Sequence, residues 1–319
     1  MRELELMRVL VIGGAGFIGS HLVDRLLADG HFVRVLDRSP PELHPYWIKT
    51  GQLEYVLGEF VDQFSMGEAV KDIHVAFHLV STTIPATSNA DMAFDVQSNL
   101  IGTLNFLKAA VDAGIRRVLF VSSGGTVYGK PVVVPIKESA PTEPICSYGI
   151  TKLAIEKYLG LFELLHGLRF IVFRLSNPFG EGQRPGAQGA IAAFVNKMLR
   201  GEPIEIWGDG SVVRDYIYIE NAIDALIKGM EYAGAQRIFN LGSGEGRSLN
   251  DLLEALEHVA GRKAQRHYVS SRAIDAPRNV LDINLVKTEM GWAPQITFEE
   301  GLARTWAWYR EALAKETPP

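Results

Sequence analysis

The chain has 319 residues, 47% of them hydrophobic and 22% charged, the profile of a globular protein of one large or two modest domains. Its net charge of −5 argues against nucleic acid or an anionic membrane surface as the main partner, and no run of about 18 apolar residues is present to span a bilayer. Cys146 is the only cysteine, so no internal disulfide can form; a reducing, cytoplasmic setting is expected, and residues 1–7 are charged rather than leader-like.

Residues 9–12 predict a short apolar strand, 17–28 a helix, 32–36 a second strand and 55–57 a third. A fourth strand is expected over 75–80, a long helix over 93–113 and a fifth strand over 118–121. Residues 148–166 predict a helix and 170–175 a sixth strand. Apolar strands alternating with helices imply an α/β fold, a parallel sheet covered on both faces. After Asn177 the pattern changes. Glycine and proline punctuate 177–189, short extended pieces follow at 204–207 and 216–219, and amphipathic helices are expected at 221–232, 249–259 and 298–313. The expected division is a first domain over 1–176, to which 213–242 returns, and a smaller α/β substrate domain over 177–319 that closes a cleft against the sheet.

Gly13, Gly16 and Gly19 lie between the first strand and the first helix, and Gly14, Gly16 and Gly19 also spell GxGxxG. That context is the one a dinucleotide-binding loop requires: glycine allows the tight turn and a close approach of pyrophosphate to the helix N-terminus, where Phe17 and Ile18 begin. A doubly wound Rossmann sheet and a nicotinamide dinucleotide follow as expectations. Asp37 ends the second strand, where a carboxylate holds the adenosine ribose through its 2′-hydroxyl and favours NAD over NADP. Arg38 beside it is placed to meet a 2′-phosphate instead.

Tyr148 and Lys152 are four apart, hence on one face of the predicted helix. A free tyrosine titrates near ~10, and an adjacent ammonium favours the phenolate, which would make Tyr148 a general base. Other patterns carry less. His74 and His78 fall on a strand, where residues four apart are roughly 13 Å distant and cannot share one ion, so no metal is expected. Cys146, Trp306 and Trp308 are read as packing residues.

Taken with Gly58-Glu59-Phe60, His78-Leu79-Val80-Ser81, Asn99 before Gly102-Thr103-Leu104-Asn105, the segment 122–129 (SSGGTVYG), Arg174-Leu175-Ser176-Asn177-Pro178, the segment 208–216 (GDGSVVRDY) and Gly291-Trp292-Ala293-Pro294, these motifs resemble the extended short-chain dehydrogenase/reductase family over nearly the whole chain. Within it they are similar to the nucleotide-sugar 4-epimerases. The resemblance implies that Glu59 and Phe60 flank adenine, although the family usually has Asp where Glu59 stands. It implies that Leu79, Val80 and Ser81 line the cofactor cleft, that Asn99 lies near the nicotinamide half, and that Ser122 also meets the cofactor. Many members place a catalytic hydroxyl at the position of Gly124; others use the position of Thr126, so Thr126 is the first candidate and Ser123 the second. Positions 124–126 hold no carboxylate, unlike relatives that dehydrate or decarboxylate their sugars. Arg214 and Arg272 are expected on the pyrophosphate, Asn177 on sugar or phosphate, Tyr216 beside a ribose, and residues 204–206 as a wall for uracil. Relatives acting on hexuronates use an arginine at the place of Arg184 to hold the sugar carboxylate.

The expected activity is therefore NAD-dependent inversion of carbon 4 of a UDP-sugar, hexose or hexuronate, through a 4-keto intermediate. The rivals are a nucleotide-sugar 4-keto reductase or dehydrogenase with net redox, and a dinucleotide-sensing protein without activity. A homodimer paired through the helices at 93–113 and 153–165, as in this family, is the expected assembly.

Overall fold

The computed structural model describes residues 6–39, 50–185, 189–270 and 276–316. Its strands, in chain order, are β1 (Arg8–Ile12), β2 (Phe32–Asp37), β3 (Leu53–Leu57), β4 (Val75–His78), β5 (Arg117–Ser123), β6 (Arg169–Leu175) and β7 (Asn177–Phe179). They continue as β8 (Ile204–Trp207), β9 (Val213–Tyr218), β10 (Ile238–Leu241), β11 (Gly246–Ser248), β12 (Arg266–Val269) and β13 (Arg278–Asn279). The chain forms two compact units. One comprises Met1–Val127, Pro144–Arg174 and Ala225–Phe239; the other Tyr128–Glu143, Leu175–Asp224 and Asn240–Pro319.

In the first unit the strands lie in the order β10-β6-β5-β4-β1-β2-β3. Pairing is parallel from β3 through β2, β1 and β4 to β5, with Val9 opposite both Val33 and Val75. This is the doubly wound Rossmann arrangement. The order reverses between β1 and β4, which opens a crevice at the carboxyl ends of those strands. Val9, Leu10, Val11, Val33 and Val35 are completely buried, as expected for strands covered on both faces. The helix Phe17–Ala28 buries Leu22, Val23, Leu26 and Leu27, one stripe of a 3.6-residue period. Leu10, Phe106, Leu107, Phe120, Ile155 and Leu159 belong to the core beneath the helices Gly102–Asp112 and Ser147–His166.

The long helix expected over 93–113 is interrupted. Met92–Asp95 is α-helical, Val96–Ile101 is a π-helical turn, and Gly102–Asp112 is α-helical again. Apolar periodicity does not register a turn widened by one residue, and such turns recur at functional sites. At its far end Gly102 lies against Phe60, whose ring an added Cβ would meet at 2.8 Å.

In the second unit β9 pairs with β7 and β13 in parallel and with β11 antiparallel, while β8 and β12 form a separate parallel pair. Asp215 on β9 is fully buried; its carboxylate accepts from Ser243 N at 2.7 Å, Ser243 Oγ at 2.8 Å and Leu281 N at 3.2 Å, joining β9 to the loops around it. A capping box between Ser248 and Asp251 starts the helix Leu249–Ala260. Helices at Gln63–Ala69, Ala190–Arg200 and Asn284–Met290 add to those expected. The first and last are too short for a clear period, and the second follows directly on the glycine-rich stretch. No described helix is long and apolar enough to cross a membrane.

Candidate active site

The glycine loop joins β1 to the helix Phe17–Ala28. Gly13 has φ of +87°, and a Cβ there would stand 3.0 Å from Val80 N, so the loop rests directly on the chain at Leu79 and Val80. A Cβ on Gly19 would fall 2.1 Å from Gly13 O, so the first helical turn can close on the loop only as glycine. Gly16 and the half-buried Phe17 and Ile18 open that turn. Asp37, at the end of β2, accepts from Ala15 N at 3.0 Å, so its carboxylate stands at this loop. Arg38 and Glu59 are exposed. Phe60 is buried, its ring 5.0 Å from that of His78.

The helix Ser147–His166 carries Tyr148 and Lys152. Lys152 is buried; its Nζ donates to Val121 O at 2.9 Å and lies 4.7 Å from the Phe120 ring and 5.6 Å from the Tyr148 ring. Burial draws the ammonium down to about 8, against the opposing pull of Asp95 and Glu156. Tyr148 departs from the expectation of a phenol lowered by its neighbour. Its value is raised above the usual tyrosine range, first by burial and then by Cys146 and Asp95, with only the Ser81 hydroxyl acting the other way. Desolvation of the phenolate outweighs a cation whose own hydrogen bond is directed at a main-chain carbonyl.

Thr126 packs beside this pair: a Cβ on Gly149 would lie 3.0 Å from Thr126 O and 3.2 Å from its Cβ. The Thr126 hydroxyl is buried with no described partner. Ser123 is half-buried at the end of β5. Ser122 points elsewhere, donating to Glu156 Oε1 at 2.6 Å, and Arg174 completes that buried cluster through Nη2 to Glu156 Oε2 at 2.7 Å. Asn99 likewise spends its amide inside the protein: Oδ1 accepts from Thr82 N at 2.9 Å, and Nδ2 donates to Asp95 Oδ1 at 3.0 Å and Thr83 Oγ1 at 3.2 Å. It thereby fixes the segment that follows Ser81.

His78 is buried, and desolvation holds it neutral, well below its usual value. Thr103 uses its one proton on Asn99 O at 2.6 Å, so His78 Nε2 must be the donor to Thr103 Oγ1 at 2.8 Å.

The second unit holds the other expected residues. Asn177 Nδ2 donates to Asp215 O at 2.9 Å. Arg214 Nη1 donates to Ala276 O at 2.8 Å and Val213 O at 3.0 Å. Tyr216, opposite Asn177 in the β7–β9 register, is buried, and desolvation pushes its phenol up to about 12. Arg184 is exposed. Arg272 lies outside the described residues.

Sequence reasoning did not single out Asp95 or Glu156. Glu156 had a signal available, since it follows Lys152 by four residues and so continues the Tyr148–Lys152 face. Asp95 had the same spacing to Asn99.

Comparison with known proteins gives the family. Residues 9–242 match the NAD dependent epimerase/dehydratase family. The UDP-glucose 4-epimerase of Mycolicibacterium smegmatis is 36% identical over 310 residues, covering 95% of this chain and 99% of that protein. The dTDP-4-dehydro-6-deoxyglucose reductase of Escherichia coli is 34% identical over 302 residues, 92% of this chain and 95% of that protein. The structure of the Thermotoga maritima UDP-glucose 4-epimerase with UDP-glucose superposes with a TM-score of 0.90 at 35% identity, covering 96% of this chain and 100% of that one. A glycine loop, an acid at the end of β2 and a Tyr–Lys helix, in a sheet of this order and with matches of this extent, make the protein a member of the NAD-dependent epimerase/dehydratase family.

Proposed function

We propose that the protein is an NAD-dependent UDP-sugar 4-epimerase. The observation that carries this reading is the juxtaposition of Tyr148, Lys152 and the unpartnered hydroxyl of Thr126, with no carboxylate at positions 124–126 to serve a dehydration or decarboxylation. Gly13, Gly16, Phe17 and Ile18 hold the cofactor pyrophosphate, Asp37 its adenosine ribose, Glu59 and Phe60 its adenine, and Leu79, Val80 and Ser81 its inner half. Bound there, NAD supplies the acceptor and donor of hydride for sugar carbon 4, together with a positive charge. Tyr148 takes the proton of the 4-hydroxyl as the 4-keto sugar forms and returns it to the same oxygen once the sugar has turned in the cleft to present the other face of carbon 4. Thr126, or Ser123 in its place, hydrogen-bonds that hydroxyl. Lys152 holds the nicotinamide ribose of the cofactor and supplies positive charge beside the phenol. Because burial, followed by Cys146 and Asp95, holds the Tyr148 phenol high, its use as a base is coupled to added positive charge beside it.

The first unit is the cofactor domain in this reading and the second the nucleotide-sugar domain. There Arg214 and Arg272 serve the diphosphate, Asn177 the sugar or phosphate, Tyr216 a ribose and Arg184 a sugar carboxylate when one is present. The assembly is a cytoplasmic homodimer, supported by apolar side chains left exposed on the helix Ser147–His166, among them Ile150, Leu161, Leu164 and Leu165. Light scattering of the purified protein tests it.

The activity is tested by NMR of the protein with UDP-glucose, UDP-N-acetylglucosamine and UDP-glucuronate. Inversion at carbon 4 without added reductant is expected for at least one. Stoichiometric oxidation of external NADH when a nucleotide-linked 4-keto sugar is supplied, with no inversion of the three UDP-sugars, would instead favour the net reductase, the activity named for the Escherichia coli relative.

Cofactor preference gives a second expected result. A carboxylate at the adenosine ribose repels a 2′-phosphate, so NAD should bind tighter than NADP by about tenfold or more. Equal or tighter NADP binding in a fluorescence titration would assign the preference to Arg38.

A further inference from the structure

Asp95 is fully buried and sits where Met92–Asp95 passes into the π-helical turn. Its carboxylate meets four donors. Oδ2 accepts from Ser147 Oγ at 2.6 Å and Thr151 Oγ1 at 2.9 Å; Oδ1 accepts from Asn99 Nδ2 at 3.0 Å and from the Thr83 hydroxyl. Thr83 Oγ1 also receives Asn99 Nδ2 at 3.2 Å, so its own proton is directed at Asp95. These four donors match the acceptor capacity of an ionised carboxylate.

Ser147 and Thr151 each precede one member of the Tyr148–Lys152 pair. They are one helical turn apart and share a face, as Tyr148 and Lys152 share the next face round. Turning the helix about its axis far enough to displace Tyr148 therefore breaks both bonds to Asp95. Through Thr83 and Asn99 the same carboxylate grips the segment after β4 that contains Ser81, which hydrogen-bonds Tyr148. Charge adds to geometry. The groups around Lys152 are Tyr148 and Glu156 on its own helix, Cys146 at the helix cap, Asp95, His78 on β4, and Arg174 on β6 acting through Glu156. Of these only Asp95 and Glu156 favour the ammonium, and Glu156 is already paired with Arg174.

We propose that Asp95 is a positioning residue for the Tyr148–Lys152 pair: its carboxylate sets the rotation of the helix that carries them and keeps Lys152 an ammonium. The proposal rests on the epimerase reading for its consequence in turnover, but Lys152 protonation can be read without turnover. Protein labelled with 13C at lysine Cε is titrated by NMR, the Lys152 resonance being identified through Lys152→Arg. In the wild type the midpoint is expected below the usual lysine value, at about 8, because the ammonium is buried. In Asp95→Asn it should fall by about one pH unit or more, since an opposite charge is lost while burial remains. The double variant Ser147→Ala/Thr151→Val keeps the charge and frees the helix; its Lys152 midpoint should stay in place while kcat falls about 10-fold or more, KM remaining within about twofold. An unmoved midpoint in Asp95→Asn, or wild-type kcat in the double variant, would overturn the proposal; should Asp95→Asn not fold, the double variant decides. Absence of C4 inversion by the wild type would refute the epimerase reading separately, leaving the Lys152 titration to stand or fall by itself.

Discussion

Tyr148→Phe should lose turnover by a factor on the order of 10²–10⁴ while still binding NAD, because only the proton acceptor is removed. The side chain keeps its ring, and with it the packing within 5.6 Å of Lys152 Nζ. The residual rate reports what Thr126 and the bound cofactor achieve without a phenol. Cofactor retention after gel filtration, measured from the absorbance ratio of the purified variant, separates loss of chemistry from loss of the site. Near-normal kcat would sink the mechanism. Loss of NAD along with activity would mean that Tyr148 serves mainly in binding.

The largest effect on stability is expected at Arg174. Its guanidinium meets Glu156 through Nε at 3.2 Å and Nη2 at 2.7 Å, and both side chains are buried, 4% and 1% exposed. Arg174→Met leaves Glu156 with Ser122 as its remaining hydrogen-bond donor among the described residues and removes the guanidinium paired with it. Removing one partner of a buried pair costs about 3–5 kcal/mol, because the charge left behind stays desolvated. The urea midpoint at neutral pH should fall accordingly. The double variant Arg174→Met/Glu156→Leu removes both charges and should recover most of the loss. If it is as unstable as the single variant, the ion pair is not the source of the effect.

Parts of the site were legible because their logic is local. The glycine loop needs a strand, three spaced glycines and a helix, all within residues 8–28, and the structure places each there. A spacing of four positions from Tyr148 to Lys152 puts them on one helix face whatever else the chain does. The π-helical turn at Val96–Ile101 was not legible, since what marks it is a set of side-chain bonds made by Ser98 and Asn99 rather than a repeat of apolar positions.

What the amino-acid order determined by itself is the class of the fold and the cofactor loop: alternating apolar strands and amphipathic helices have few ways to bury their faces, and a doubly wound sheet is one of them. What only the tertiary structure decided is the charge state and attachment of the pair at its centre. Asp95 reaches Ser147 and Thr151 across 52 and 56 residues of sequence, and Arg174 on β6 reaches Glu156 on the helix Ser147–His166. Whether Lys152 lowers the phenol, or burial raises it, depends on how much water is excluded around Tyr148 and on where the ammonium points. Both are set by packing between segments distant in sequence, because desolvation depends on everything that surrounds a group and not on its neighbours along the chain.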